Sequence, residues 1–414
     1  MEKLMDGIME RVPVGIYISV PFCRTKCSYC NFASDVFSRA VFERYVDRVC
    51  ADIARARSTV DEMCGELERE VDSIYLGGGT PTVLEPAQLE RMFAAVRGEF
   101  DVLRDSEVTV ECAPGTLSPD VLETLLRCGV NRVSLGVQSF NDAEAASVGR
   151  LHKRETALDD IARLRSHGIA NINIDLIAGL PYQTMASWRD SLERTIATGA
   201  PHVSVYMLEV DDDSRLGREL IAGGTRYHAH FVPDEEATAD FYVAACEQLN
   251  GAGIAQYEIS NFARAGFDSR HNLKYWTRQP YLGFGVDAHS MLKSSTPNFE
   301  CVRFATPDAL EKFVAAASLE RNPVSQFTAM EEKFFLGLRL NRGIDLREIL
   351  AEAGDHVLPD LDSTLAELMD ANLLERSDHR IRLTSKGRLL SNEVFQRFLA
   401  PSQTATAPTP ACEG

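Results

Sequence analysis

The sequence predicts an α/β fold in which strand–helix units repeat and a smaller, α-rich unit follows. Six short runs rich in β-branched and aromatic residues alternate with longer helical patterns over residues 14–215, as parallel sheets require. The runs are nearly continuously apolar, which is typical of strands covered on both faces. Glycine and polar residues follow them. Because barrels place their active sites at the carboxyl ends of strands, an incomplete (β/α)6 barrel is favoured over a doubly wound sheet.

The strand–helix units can be followed in order along the chain. The predicted strands are IYISV (16–20), DSIYL (72–76), EVTVEC (107–112), RVSLGV (132–137), NINIDLIAGL (171–180) and HVSVYML (202–208). Helical patterns occupy residues 40–57, 87–98, 118–128, 142–148, 155–167 and 187–197. The third helix has a typical N-cap in Ser118 and a typical terminating glycine in Gly129.

Four further segments surround this core of residues 14–215. Residues 1–13 form a short N-terminal segment, and residues 216–300 extend the barrel with a helix near 235–251 followed by irregular strands and loops. Residues 301–397 form a small α-rich unit that ends in a helix, a short hairpin and another helix, the pattern of a winged-helix unit. The tail, residues 398–414, is low in complexity, and we expect it to be disordered.

Charge and hydropathy narrow the classes of partner. The 414 residues carry a formal net charge of −18, which argues against nucleic acid or an anionic membrane as the main partner. We therefore expect the winged-helix-like unit to serve packing or protein contact. The sequence has no stretch of about twenty apolar residues. Its first residues, MEKLMDGIMERVP, are acidic and have no apolar segment, so we expect a cytoplasmic protein.

Three cysteines follow the first predicted strand in the pattern Cys23-x3-Cys27-x2-Cys30. Three thiolates in one short loop can bind three of the four irons of a [4Fe–4S] cubane and leave the fourth iron open to a small molecule. A zinc site with three cysteines and a histidine fits the spacing alone equally well. Buried, unreactive thiols are a weaker alternative, since clustered cysteines in a reducing compartment are seldom inert.

The cysteine pattern, its place at a strand end and the aromatic Tyr29 before the last cysteine together resemble the radical S-adenosylmethionine (SAM) superfamily. The resemblance implies a [4Fe–4S] cluster on Cys23, Cys27 and Cys30, with SAM chelating the open iron through its amine and carboxylate. It also implies that an electron from the cluster cleaves SAM to a 5′-deoxyadenosyl radical. The resemblance therefore favours a [4Fe–4S] cluster over a zinc site at these cysteines.

A glycine-rich segment, Gly77-Gly78-Gly79-Thr80-Pro81, follows the second predicted strand. Residues without side chains at a strand end let backbone groups approach a ligand. Neither a P-loop nor a dinucleotide-binding fingerprint fits the spacing. Taken alone, the segment is an ordinary Gly-Pro turn. Beside the cysteines, the superfamily resemblance implies that it holds the amino group of the methionine moiety of SAM.

Polar side chains at later strand ends can complete a pocket. They are Glu111, Gln138, Arg150 and Asp175, and Tyr17 lies within the first strand. Carboxylates accept hydrogen bonds from ammonium or ribose hydroxyl groups, and an arginine can bind a carboxylate with two donors. Each of them could equally be a structural hydrogen-bond former or a surface ion pair.

Residues 14–300 more narrowly resemble the oxygen-independent coproporphyrinogen III oxidases and their HemW-type relatives. The matching pieces are YISVPFC, GGGTPT, VSLGVQSF and NIDLIAGLP, together with FFLGLRLNRGI in the last unit. The resemblance implies one or two bound SAM molecules and assigns SAM contacts to a set of residues: Tyr17, Tyr29, Gly78, Gly79, Thr80, Glu111, Gln138, Arg150 and Asp175.

Two features distinguish the branches of that family. The oxidases share Gly-Cys directly after the third ligand cysteine, whereas this chain has Asn31-Phe32. The HemW-type heme chaperones share H-N-x-x-Y-W, found here as HNLKYW over residues 271–276. Both features favour the chaperone branch.

The HNLKYW segment also suggests a heme site on chemical grounds. The imidazole of His271 can bind heme iron, and Tyr275 and Trp276 offer flat apolar faces to a porphyrin. The alternative is a loop whose aromatics pack on the barrel and whose histidine is bonded internally. His289 in GVDAHS is a second candidate, so the axial ligand stays open.

The resemblance therefore predicts a heme chaperone that binds heme and delivers it to heme-requiring proteins, some of them at membranes. The main alternative is the oxidative decarboxylation of coproporphyrinogen III, and a third possibility is another radical reaction on a tetrapyrrole. Whether the protein is an enzyme stays open, because Asn31-Phe32 stand in place of the oxidase Gly-Cys. An electron donor of unknown identity is also implied.

Overall fold

Six parallel strands, adjacent in sequence order, form the centre of the fold. The structure is a computed structural model that describes residues 12–212, 214–316, 318–353, 358 and 360–399. The six strands are β1 (Val14–Val20), β2 (Glu70–Gly78), β3 (Asp101–Cys112), β4 (Arg132–Gln138), β5 (Asn171–Ala178) and β6 (His202–Met207). The predicted series of six strands is confirmed.

Helices connect these strands and cover one face of the sheet. They are α1 (Ala40–Ala54), α2 (Ala56–Glu62), α3 (Pro86–Glu99), α4 (Pro119–Arg127), α5 (Asp142–Ser147), α6 (Arg154–Ser166) and α7 (Met185–Thr198). The Ser118 side chain accepts a hydrogen bond from the Val121 N–H, and Gly129 follows with a φ of +76°. The predicted start and end of α4 are therefore confirmed.

The two faces of the central strands differ in polarity. In β1, Ile16 and Ile18 pack in the main hydrophobic core with the helices, whereas Tyr17 and Ser19 face the lumen of the half-barrel, where they line a pocket. The same alternation gives the lumen a polar lining that includes Glu111 of β3. The expectation that nearly continuous apolar strands are covered on both faces is therefore wrong. Their inner faces carry polar groups and do not pack against a second layer of helices.

The sheet continues on both sides of the six strands. The added strands are β7 (Ala255–Gln256), β8 (Asn261–Ala263), β9 (Tyr281–Gly285), β10 (His289–Lys293), β11 (Phe299–Ala305) and β12 (Glu320–Ser325). Strand β9 is parallel to β1, whereas β10, β11 and β12 follow it in antiparallel order and β8 joins β6. In the described part of the chain β12 and β7 are the two ends of the sheet, so the barrel is open.

Four more helices belong to this larger unit: α8 (Arg215–Ala222), α9 (Glu235–Gly251), α10 (Arg270–Trp276) and α11 (Leu310–Val314). HNLKYW lies on α10 and not on an irregular strand or loop, because Ser269 caps the helix by accepting from the Asn272 N–H. Helix α10 enters the lumen from the end where the central strands begin: Lys274 donates to the Pro13 carbonyl at 2.8 Å. It forms the floor of the half-barrel.

The C-terminal unit packs around its own hydrophobic core. Its elements are α12 (Gln326–Gly337), β13 (Ile344–Asp345), α13 (Leu346–Ala353), α14 (Leu361–Asp370), β14 (Leu374–Ser377), β15 (Arg380–Leu383), α15 (Ser385–Leu389) and α16 (Ser391–Gln396). The helices and the three-stranded sheet β13-β15-β14 form the expected winged-helix-like arrangement.

Two of the expected domain boundaries, at residues 301 and 398, divide packed parts of the structure, whereas the boundary at residue 215 lies at the start of a helix. The boundary at residue 301 falls within β11, which pairs with β10 and β12, so the C-terminal unit begins at α12. The boundary at residue 215 coincides with the start of α8. Phe398, assigned to the tail, is buried and stacks on Phe334 at 5.0 Å between ring centroids. Residues 400–414 of the predicted tail and residues 1–11 of the predicted N-terminal segment 1–13 lie outside the described residues.

Among the described residues, no helix is both long enough and apolar enough to span a bilayer.

Candidate functional site

The three predicted ligand cysteines lie in a loop that begins at the end of β1. The Cys23 N–H donates to the Asp35 carbonyl at 3.0 Å, and the Asp35 N–H donates to the Pro21 carbonyl at 2.9 Å, so the two ends of the loop are bonded together. Among the described residues, no three His, Cys, Asp or Glu side chains converge on one ion. A cubane does not require such convergence, because each thiolate binds a different iron.

Each of the three sulfur atoms has a side-chain polar neighbour. The Thr80 hydroxyl donates to Cys23 Sγ at 3.8 Å, and the Arg150 guanidinium donates to Cys27 Sγ at 3.5 Å. The Ser34 hydroxyl lies 3.9 Å from Cys30 Sγ. Burial raises the pKa of Cys23, and the Thr80 contact opposes that rise. These donors can stabilise thiolates, which is what binding of an iron–sulfur cluster needs.

The glycine-rich segment after β2 packs against the start of the cysteine loop. The Gly79 N–H donates to the Val20 carbonyl and the Thr80 N–H to the Phe22 carbonyl, each at 2.8 Å. Gly78 has a φ of +97°, and a Cβ there would lie 2.9 Å from Ser19 Oγ. Only glycine fits this conformation and this approach without strain. The segment forms a cradle beside the cysteines, at the place where the sequence predicts a SAM contact.

Two carboxyl groups stand on the lumen side of this cradle. Glu111 accepts from the Tyr75 hydroxyl at 2.9 Å and from the Gly78 N–H at 3.0 Å. Burial raises the pKa of Glu111 to about 7, and the charge of Asp175 adds to the rise. Asp175 accepts from the Ser134 hydroxyl at 2.9 Å, and burial raises its pKa as well. A cation bound between the carboxyls would relieve their repulsion, since opposite charge favours ionised carboxylates.

The remaining predicted SAM residues lie at the same end of the strands. Gln138 ends β4 with a φ of +69°, which turns the chain sharply at the rim of the lumen. Arg150 bonds the Gly136 carbonyl as well as Cys27. Tyr29 packs with Val148 in a small apolar cluster behind the cysteine loop. Arg150 thus contacts a ligand cysteine directly, which the sequence does not predict.

A half-open pocket of about 300 Å³ joins the cysteine end of the lumen to the region of α10. It brings together residues that are far apart in the sequence. The lining includes both predicted SAM residues and predicted heme residues: Tyr17, Ser19, Phe32, Ala33, Gly78, Tyr275, Tyr281, Asp287 and His289.

His271, the first candidate for a heme ligand, is buried and fully bonded. Only 1% of the residue is exposed. Its Nδ1 lies 3.0 Å from the Ser73 hydroxyl and its Nε2 lies 2.9 Å from the Tyr275 hydroxyl. Burial lowers the pKa of His271 to about 3, and the nearby positive charge of Lys274 lowers it further. In this arrangement neither ring nitrogen is open to a metal, which matches the alternative of an internally bonded histidine.

The other predicted heme residues have different surroundings. Tyr275 lines the pocket and meets Tyr281 edge-to-face, with 4.6 Å between centroids. Trp276 lies instead under the guanidinium of Arg339 of the C-terminal unit, 4.2 Å from its ring centroid. Among these aromatics, therefore, Tyr275 reaches the pocket and Trp276 joins the two units. The His289 side chain is 70% exposed at the mouth of the pocket.

Comparison with known proteins assigns the family. The Radical SAM superfamily profile matches residues 17–195, and the HemN C-terminal domain profile matches residues 324–390. A protein named heme chaperone HemW from Lactococcus lactis is 33% identical over 395 residues, which cover 94% of this chain and 98% of that protein. The chain belongs to the HemW family. Heme chaperone HemW from Bacillus subtilis is also 33% identical, over 92% of this chain and 98% of that protein.

A solved structure supports the fold independently. The structure described as "Coproporphyrinogen III oxidase (HemN) from Escherichia coli is a Radical SAM enzyme" matches with a TM-score of 0.78 and 24% identity, covering 94% of this chain and 90% of that chain. At this identity the likeness shows the fold alone. The predicted radical SAM fold with its C-terminal unit is confirmed.

Membership in the radical SAM superfamily implies a [4Fe–4S] cluster and SAM. The residues fit both groups: three thiols have a polar neighbour each, and the Gly78 cradle and two buried carboxyls face the same space. HemW membership agrees with the branch that Asn31-Phe32 and the HNLKYW segment favour.

Some residues at the site were not predicted from the sequence as contacts. Ser34 lies beside Cys30, and Tyr281 and Asp287 line the pocket. Ser34 could have been suspected because it follows the triad by four residues. Tyr281 and Asp287 reach the pocket only because β9 pairs with β1, a contact between residues more than 260 positions apart that leaves no local signal.

Proposed function

We propose that this protein is a heme chaperone that binds heme at the mouth of the pocket and passes it to heme-requiring proteins. The observation that carries the proposal is the pocket itself, whose lining combines exposed Phe32 of the cysteine loop with the ring of Tyr275. Its volume, about 300 Å³, lies at the low end of ligand pockets. A porphyrin would therefore stay partly exposed, which suits a carrier that must release it.

The pocket walls suggest how the cofactors support this role. Cys23, Cys27 and Cys30 would hold the cluster, with Thr80 and Arg150 donating to its sulfur ligands. The cluster and SAM, when bound, supply single electrons and the capacity to form an adenosyl radical. Glu111 and Asp175 can hold the positively charged part of SAM in the lumen, while Tyr17 and Gly78 form the wall shared with the heme site.

We further propose that the recipients are heme-requiring proteins, including membrane and respiratory proteins, and that a separate electron donor reduces the cluster. The names of the HemW relatives support the transfer of heme. A cytoplasmic location is part of the proposal, because three cluster thiols persist best in a reducing compartment.

One anaerobic experiment tests the proposal. The cluster is reconstituted in the full chain, and heme binding, heme transfer to an apo-cytochrome, SAM cleavage and coproporphyrinogen turnover are measured in the same preparation. We expect reversible heme binding and transfer, without protoporphyrinogen formation. A preparation that forms protoporphyrinogen at a useful rate, or fails to bind heme with and without the cluster, contradicts the chaperone function.

A further inference from the structure

Two histidines lie near the aromatic residues of the proposed heme site, and they differ in accessibility. His271 is buried and has a hydrogen-bond partner for each ring nitrogen. His289 lines the pocket with its side chain 70% exposed. We propose that His289, and not His271, is the axial ligand of the heme iron. This assignment rests on the proposed heme-chaperone function and adds the iron-binding residue to it.

The backbone that carries His289 is held firmly against the core. Gly285, with a φ of +94°, ends β9 so close to β1 that a Cβ would lie 2.3 Å from the Ser19 carbonyl oxygen. The Thr306 hydroxyl donates to the Gly285 carbonyl at 2.5 Å and accepts from the Ala288 N–H at 2.8 Å. The turn between β9 and β10 therefore packs against β1 and is bonded to Thr306, which follows β11, so His289 has a defined position although its ring is exposed.

The carboxylate of Asp287 lies near the imidazole of His289. Asp287 Oδ1 lies 3.7 Å from His289 Nε2, and both side chains line the pocket. Metal-binding histidines usually donate their second ring N–H to a carboxylate or carbonyl, which fixes the ring and increases its basicity. A small rotation of the exposed ring allows one nitrogen to bond Asp287 and the other to face a metal. Asp287 has a φ of +55°, a turn conformation that Asp adopts more readily than most residues, so it fits the turn between β9 and β10.

The aromatic residues of the pocket complete a heme site around this imidazole. Phe32 is 65% exposed within the cysteine loop, and Tyr275 and Tyr281 pack against each other on the lumen side. Apolar aromatic faces around one imidazole are the surroundings in which proteins bind heme iron. Because the pocket is small and half-open, we infer a single protein ligand with the opposite face of the iron accessible to a recipient.

The test compares ferric heme binding by the full chain carrying His289→Ala with binding by a matched control, His167→Ala. His167 is exposed at the end of α6 and lies outside the pocket lining. The readouts are the heme dissociation constant and the electron paramagnetic resonance spectrum of the iron. We expect His289→Ala to weaken binding by about tenfold or more and to change the iron spectrum. The control should match the parent protein in both.

Two further variants keep the test decisive. Added imidazole should restore the parent iron spectrum to His289→Gly by occupying the space of the missing ring. Asp287→Asn should retain the ligand but shift its spectrum. If the parent protein binds heme and His289→Ala keeps its affinity and spectrum, the ligand assignment is overturned and the chaperone function stands. If the parent protein does not bind heme, the proposed function itself fails.

Discussion

Each end of the half-barrel lumen contains a histidine, but one of the two is buried and the other is exposed. At the floor, His271 and Lys274 of α10 are buried, and their polar atoms are bonded to neighbouring strands or backbone. At the rim, Phe32 and His289 are exposed around a pocket next to three cysteines. The floor uses its polar groups for folding, whereas the rim keeps groups available for ligands. A residue type alone therefore does not separate structure from function in this molecule.

Removing a cluster ligand should have the largest effect on the rim and little effect on the floor. Cys23→Ala is expected to abolish the [4Fe–4S] absorbance after anaerobic reconstitution, because three thiolates are needed to hold the cubane. The thermal midpoint of the cluster-free protein should change little. Cys50→Ala is the control, since Cys50 lies on α1 and outside the cysteine loop. Retention of a full cluster by Cys23→Ala would show that the ligand assignment is wrong.

A change at the floor should produce the reverse pattern. Lys274 is 1% exposed and pairs with Asp72 at 2.8 Å. Lys274→Met should lower the free energy of unfolding by about 3 kcal/mol, because the Pro13 carbonyl and Asp72 lose their partner. Urea denaturation measures this change. Lys312→Met breaks an exposed pair and should cost less than about 1 kcal/mol. A Lys274→Met protein that is stable but deficient in heme binding would contradict the division between floor and rim.

The carboxyl pair between the two ends should make stability depend on pH. In the cluster-free, SAM-free chain the pKa of Glu111 is raised to about 7, whereas in the unfolded chain it is roughly 4.3. Between these values the native state binds more protons, so its stability falls as pH rises, by about 3–4 kcal/mol. Glu111→Gln should flatten this part of the pH profile of urea denaturation, and SAM binding should reduce the fall. An unchanged slope in Glu111→Gln would exclude Glu111 as its source.

The Arg150 contact should tune the cluster rather than hold it. Its guanidinium lies 3.5 Å from Cys27 Sγ, and hydrogen bonds to cluster sulfurs raise the reduction potential. Arg150→Gln is expected to lower the potential on the order of tens of millivolts, measured by anaerobic redox titration. Arg24→Gln is a control from the same loop, because Arg24 bonds the Gly115 carbonyl and no sulfur. Equal potentials in both variants would remove this role from Arg150.

The smallest expected effect is coupling between the two ligands of the rim. Tyr17 and Gly78, predicted SAM contacts, line the same pocket as Tyr275 and His289. Saturating SAM should therefore weaken heme binding by roughly 3–10-fold, and heme should weaken SAM binding by the same factor. Titrations of each ligand in the presence of the other measure this. Independent binding would indicate that the two sites do not share the pocket.

The features that could be predicted from the sequence are those that depend on residues close together in the chain. Cys23, Cys27 and Cys30 fall within eight residues, and Ser118 and Gly129 mark the ends of one helix, so their structures follow from nearby neighbours. The state of His271 could not be predicted, because its partners include Ser73, almost two hundred positions away.

The lining of the pocket escaped prediction for the same reason. Strand β9 was expected as part of an irregular region, yet it pairs with β1 and brings Tyr281 and His289 to the pocket. Nothing in the composition of residues 281–289 indicates that partner. Predicting the pocket lining would therefore have required knowledge of this long-range strand pairing. The polar lumen could have been inferred from β1, where Tyr17 and Ser19 alternate with isoleucines.

The position of Trp276 has a consequence for optical measurements. The chain contains two tryptophans: Trp188 is fully buried and donates to the Phe241 carbonyl at 2.6 Å, whereas Trp276 lies under Arg339 at the junction of the two units. In a Trp188→Phe protein the remaining emission comes from that junction alone. Its wavelength would report undocking of the C-terminal unit, and its quenching by energy transfer would report arriving and departing heme, without any attached dye.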